Sequence, residues 1–222
     1  ALSYALGDLY FSQARLEQAI TAYQNAVSKG PQQAVYHRAL VRAYVEADRL
    51  DAAITAAEVA TDRLPDQADI WFLAGTVYAR ANKVAPAIEA YDEALIIEPN
   101  FVPAANNLAV LLADENMQLN RARKLARRAV EQSPKNHAFA DTYGWVLVRS
   151  GEYDKGVQLL RVVYDNWSES PAVKWHLGYG LVKSGEIQEG RKLIEQAANA
   201  SGRPDITGPA EEFLKQMEQD SG

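Results

Sequence analysis

The sequence predicts an all-α fold, a solenoid of six helix pairs followed by a C-terminal capping helix. Three observations carry this reading. Small and aromatic residues recur at a fixed interval of 34 residues. Each interval holds two helical apolar patterns split by a short polar turn, as in "EADRLD" (46–51), "RANKVA" (80–85) and "RSGEYD" (149–154). The last stretch, "AEEFLKQMEQ", places Ala210, Phe213, Leu214 and Met217 on one side of a helix.

The elements follow in order over residues 1–206. The first pair (1–33) carries Gly7, Tyr10, Ala19, Tyr23, Ala26 and Pro31. The second (34–67) repeats these positions as Val41, Tyr44, Ala53, Ala57, Ala60 and Pro65, and the third (68–101) as Gly75, Tyr78, Ala87, Tyr91, Ala94 and Pro99. The fourth (102–136) has Ala109, Leu112, Ala122, Ala126, Ala129 and Pro134, with one extra residue between its halves. The fifth (137–170) and sixth (171–204) keep Gly144, Leu147, Gly156, Leu160 and Val163, then Gly178, Leu181, Gly190, Ile194 and Ala197. Proline closes the first four second helices, because it cannot continue a helix. The capping helix and tail occupy 207–222, covering the apolar face of the sixth pair. Ala1 already falls within a helical pattern, so the expectation is that the native chain continues upstream.

Glycine inside a helix costs roughly 1 kcal/mol relative to alanine. In "DTYGWVLVRSGEYDKG" (141–156) Gly144 nevertheless stands beside Trp145. Its equivalents are Gly7, Gly75, Ala109 and Gly178, so the position is read as a site of close helix–helix approach, a structural glycine.

Composition narrows the function. Hydrophobic residues make up 48% of 222, enough for an ordered core. Net charge −6 disfavours nucleic acid as the main partner. Without cysteine there is no thiol chemistry and no disulfide, and no apolar run approaches the roughly 18 residues of a membrane span. Of the three histidines, His37, His137 and His176, only His137 has a carboxylate one turn away, Asp141, and no third metal ligand accompanies them. No nucleophile motif or phosphate loop occurs, so no enzyme activity, cofactor or metal is expected. The dense cluster Arg121, Arg123, Lys124, Arg127 and Arg128 reads as the outer face of a second helix, with an anionic partner as a secondary reading.

The 34-residue pattern of Trp71, Gly75 and Tyr78, then Ala87, then Pro99, resembles the tetratricopeptide repeat. That resemblance covers about residues 1–204 and implies a right-handed superhelix whose concave side is lined by first helices and commonly holds partner peptides. Carried across by register, this face comprises Tyr4 and Asp8; Arg38 and Arg42; Phe72, Thr76 and Arg80; Asn106 and Val110; Asp141, Trp145 and Arg149; and Trp175, Tyr179 and Lys183. Aromatics interleaved with directional polar groups suit peptide recognition. Phe72 and Trp145 could equally pack against a neighbouring first helix. The lysine and asparagine arrangement of chaperone-tail clamps is not reproduced.

The last three units, with "NNLAVLLA", "DTYGWVLVRSGEYDKG" and "KWHLGYGLVKSGE", also resemble bacterial repeat proteins linked to exopolysaccharide production and PEP-CTERM sorting. This implies a periplasmic or envelope-associated protein; a cytoplasmic one is compatible with the composition. The expected function is a non-enzymatic scaffold that binds a protein or peptide in the groove. Two alternatives are a polysaccharide module, in which Trp145, Trp175 and Tyr179 stack on sugar rings, and self-association through an uncapped N-terminal end.

Overall fold

The computed structural model describes residues 2–219. Among them the chain is helical throughout, with no strand. The elements are α1 (Leu2–Ser12), α2 (Leu16–Lys29), α3 (Ala34–Glu46), α4 (Leu50–Arg63), α5 (Ala68–Arg80), α6 (Val84–Ile97), α7 (Val102–Asp114), α8 (Leu119–Gln132), α9 (His137–Arg149), α10 (Tyr153–Asn166), α11 (Pro171–Ser184), α12 (Ile187–Ala198) and α13 (Pro204–Gln219). Successive helices fall into pairs at the predicted interval, and the fold is an all-α repeat of the solenoid class. The chain divides into two compact units between Asn107 and Leu108.

Each first helix ends in the same way. Arg15, Arg49, Lys83, Met117, Glu152 and Glu186 donate their backbone N–H to Tyr10, Tyr44, Tyr78, Leu112, Leu147 and Leu181, at 2.8–3.0 Å. These six-to-one bonds are the Schellman closure, which requires a left-handed residue just past the helix. That residue is Ala14, Asp48 and Asn82 at φ 55°, Asn116 at 54°, then Gly151 at 80° and Gly185 at 98°. The extra residue of the fourth pair falls in this turn, where Gln118 takes φ 44° immediately before α8.

The two helices of a pair meet where the first offers no side chain. A Cβ placed on Gly75 would lie 2.6 Å from the Tyr91 ring, and one on Gly144 the same distance from Leu160 Cγ. Gly7 faces Tyr23 and Gly178 faces Ile194 in the same register. The second pair exchanges the sizes: Val41 stands at the glycine position and Ala57 at the tyrosine position, both essentially fully buried. Volume is conserved although the residues are not, as a close-packed core demands.

In the second unit α13 packs on α12 and α11. It starts at Pro204, earlier than the expected cap, because Pro204 supplies a helical φ to the first turn and Asp205 places a carboxylate at its N-terminus. Ile206, Ala210 and Phe213 are its buried residues. At the other end of the chain, the α1 leucines Leu2, Leu6 and Leu9 are exposed.

Candidate functional site

The predicted face separates into two environments, one open and one filled. In the first unit α1, α3 and α5 enclose a cavity of about 460 Å³. Tyr4 lines it from α1; Val35, Arg38, Ala39, Val41, Arg42 and Val45 from α3; Leu73, Thr76, Val77 and Arg80 from α5. Five of the predicted residues, Tyr4, Arg38, Arg42, Thr76 and Arg80, are therefore brought together here. The floor is aliphatic, the rim holds three guanidinium groups, and the lining contains no carboxylate.

Arg38 forms an ion pair with Asp69, and the Arg42 guanidinium lies over the Phe11 ring at 4.5 Å. Neither Arg42 nor Arg80 makes an ion pair among the described residues. Asp8 lies outside the lining and accepts a 2.7 Å hydrogen bond from the Tyr23 hydroxyl. Burial, and then this carboxylate, raise the Tyr23 phenol above its ordinary pKa. Phe72 also lies outside the lining, packed on Tyr91 and edge-on to Phe101 at centroid distances of 6.0 and 5.5 Å. Asn106 is buried on α7, and its Oδ1 has no hydrogen-bond partner among the described residues.

In the second unit the corresponding positions are occupied by the protein's own rings. Trp145 is 1% exposed. It stacks on His176 at 4.5 Å, with Tyr179 edge-on at 5.4 Å and Trp175 at 6.0 Å. Its Nε1 donates to Asp114 Oδ1 at 2.7 Å. Trp175 is buried as well, and Phe213 of α13 closes the stack at 5.9 Å from Trp175 and 4.7 Å from Tyr179. Arg149 lies over Trp145 at 5.2 Å, and Lys183 over Phe213 at 5.3 Å. Val110, on α7, is half-buried. The rings on which sugar stacking was expected thus present no free face at Trp145 or Trp175, which corrects that expectation. The glycine–tryptophan neighbours on α9 serve two contacts: Gly144 admits Leu160 of α10, while Trp145, rotated around the helix, packs on α11.

Asp141 is likewise buried, and both its oxygens lie 3.0 Å from His176 Nδ1. The His137–Asp141 pair read from spacing is not formed; His137 is exposed. Desolvation raises the Asp114 carboxyl above its ordinary pKa, opposed by His176, the Trp145 hydrogen bond and Arg149. His37 is structural, its ring 2.8 Å from the Pro31 carbonyl, and Trp71 one repeat later donates to the Pro65 carbonyl at the same distance. Within the basic cluster on α8, Arg123 pairs with Glu152 and Arg127 with Glu131. Sequence reasoning missed Trp167, which is 41% exposed beside an open hollow formed by 133–138. Its only signal was the irregular "NWSESP" connection.

The tetratricopeptide repeat model matches residues 4–60, 38–101 and 107–171. The chain belongs to the tetratricopeptide repeat family. No curated protein shows significant similarity to it. Among solved structures, this tetratricopeptide repeat chain is similar to a repeat protein from Parabacteroides merdae ATCC 43184, with 13% identity and TM-score 0.71 over 94% of this chain and 81% of that one. It is similar to PilW, described as a widely conserved type IV pilus biogenesis factor, with 17% identity and TM-score 0.71 over 88% and 90% of the two chains. It is also similar to YrrB, described as a TPR protein with an unusual peptide-binding site, with 16% identity and TM-score 0.61 over 86% and 98%. At these identities the likeness establishes the fold alone. Proteins of this repeat family are generally non-enzymatic interaction scaffolds. Among the described residues no group of three or more His, Cys, Asp or Glu is placed to hold a metal ion, and no helix is long and apolar enough to cross a membrane.

Proposed function

We propose that the protein is a non-enzymatic scaffold that holds a segment of a partner protein against α1, α3 and α5. The observation that carries this reading is the cavity of about 460 Å³ lined by three successive first helices. Its size lies within the roughly 300–1,000 Å³ of ordinary binding clefts, and it combines an apolar floor with a few convergent polar groups. Family membership supports the same role.

Thr76 is exposed at the cavity mouth, so Thr76→Trp plugs it, at the loss of the long 3.5 Å hydrogen bond that the buried Tyr91 hydroxyl donates to Thr76. A displayed library of protein fragments is panned on the intact chain and on this variant, with helicity checked by circular dichroism. Segments enriched on the intact chain and lost on the plugged one are expected. Identical enrichment on both, or none on either, overturns the assignment.

A second reading, self-association, is favoured by the exposed Leu2, Leu6 and Leu9 on α1. It predicts a sedimentation coefficient that rises with concentration and stops rising in Leu2→Gln, Leu6→Gln, Leu9→Gln.

A further inference from the structure

We infer that the segment held by this cavity is acidic, with an apolar side chain flanked by aspartate or glutamate; the inference rests on the docking reading above. Val41 and Val77 form a buried floor, flanked by half-buried Val35, Val45 and Leu73, and this surface offers an apolar group desolvation and contact but no directional bond. The rim supplies direction. Arg38, Arg42 and Arg80 all border the same cavity, with no acidic residue in its lining.

Among the described residues only Arg38 forms an ion pair with a carboxylate; Arg42 rests on the Phe11 ring and faces the Tyr23 hydroxyl, which donates to Asp8, and Arg80 makes no ion pair. Arg38 and Arg42 sit one turn apart, where like charges gain nothing for the helix. The chain as a whole carries net charge −6, so Arg42 and Arg80, beside one apolar cavity and without a carboxylate partner among the described residues, run against its prevailing sign. A carboxylate-bearing segment is drawn to these arginines, and each guanidinium fork can hold a carboxylate through two parallel hydrogen bonds. A polynucleotide fits less well, because the cavity lining has one aromatic ring, Tyr4, and bases need stacking platforms.

The test uses a random twelve-residue peptide library panned on the intact chain and on Thr76→Trp. Plug-sensitive peptides are then measured by fluorescence anisotropy against Arg42→Gln, Arg80→Gln and the double variant; both side chains are exposed, so the fold should be retained. Enrichment of Asp or Glu around an aliphatic residue is expected. Each neutralisation should weaken binding by about tenfold, and added NaCl should weaken it further. Peptides bearing lysine in place of the acids should bind the Arg42→Glu, Arg80→Glu chain better than the native one. If plug-sensitive peptides are neutral or basic, or ignore both arginine substitutions, the acidic-segment inference fails while the docking reading stands. If no peptide is sensitive to the plug, the docking reading fails, and this inference with it. Tight binding of a single-stranded oligonucleotide lost on Thr76→Trp also overturns it.

Discussion

Ala14 takes φ 55°, the left-handed conformation that the equivalent turns assign to Asn82, Asn116, Gly151 and Gly185. An alanine there is strained by its Cβ, whereas glycine is not. Ala14→Gly is therefore expected to stabilise the chain by up to about 1 kcal/mol, after the greater unfolded-state freedom of glycine is subtracted, and to raise the urea midpoint. Gly144→Ala should act in the opposite sense. The usual helix gain is outweighed by a Cβ 2.6 Å from Leu160, so a loss of about 1–2 kcal/mol is expected in the same assay. Trp145→Ala removes a buried ring and should cost about 3–5 kcal/mol, which makes it a stability variant rather than a binding probe. Trp145→Phe keeps much of the volume but leaves Asp114 without its donor; thermal unfolding should show a smaller loss of about 1–3 kcal/mol. The small residue at 144 was legible from the repeat itself. The fate of Trp145 was not, because His176 and Asp114 each lie one repeat away and only packing decides which neighbour a ring meets.

At the scale of elements, the informative piece is α13. Its amphipathic pattern announced a cap, and its buried residues bear that out. The sequence did not indicate that Phe213 would reach the aromatic stack of α9 and α11. Phe213→Ala should open Trp175 to water and shift tryptophan emission to longer wavelength, with α9 still helical. Phe213→Leu should largely restore the native spectrum. Helices α10, α12 and α13 of the second unit are also linked by ion pairs. Arg161 of α10 reaches Glu186 and Glu189 at the start of α12, and Arg191 of α12 reaches Glu218 of α13, at 2.7–3.2 Å. These exposed pairs define register more than they add stability.

For the whole molecule, pH acts at both ends of the scale. Arg161 holds the Glu189 carboxyl below the usual carboxylate range, Lys155 and Arg123 do so for Glu152, and Arg203 for Asp205. A carboxylate with a depressed folded pKa stabilises the fold above its unfolded value, near 4.5 for glutamate, and that contribution is lost as pH falls through the folded pKa. The unfolding midpoint should decline below about pH 4.5, and Arg161→Gln should flatten that decline. At the alkaline end the sign reverses. Burial and the Glu58 carboxylate push the Tyr78 phenol up to about 12, and Tyr23 is raised as well. These phenols stabilise the fold below their unfolded value near 10, and the contribution is lost as pH rises through the folded pKa. Tyrosinate absorbance in an alkaline titration should therefore include a late rise from Tyr23 and Tyr78, joined by Tyr4 and Tyr91, whose phenols are raised as well. That late rise should coincide with loss of helical signal.

Much of this molecule was written in the chain. Periodicity located the helix pairs, the turns "EADRLD" and "RANKVA" marked where the first helix of a pair gives way to the second, and small residues at a fixed register announced where helices touch. These are local signals, set by helical repeat, backbone sterics and volume. Tertiary structure decided which part of the predicted face is open. Tyr4, Arg38, Arg42, Thr76 and Arg80 border a cavity, whereas Trp145, Trp175 and Asp141, assigned to the same face by the same register, are buried. The repeat places a residue on a face, but burial depends on the size of what stands opposite. Valines and a leucine leave space between α1, α3 and α5; two tryptophans, a histidine and the incoming Phe213 consume it between α9, α11 and α13.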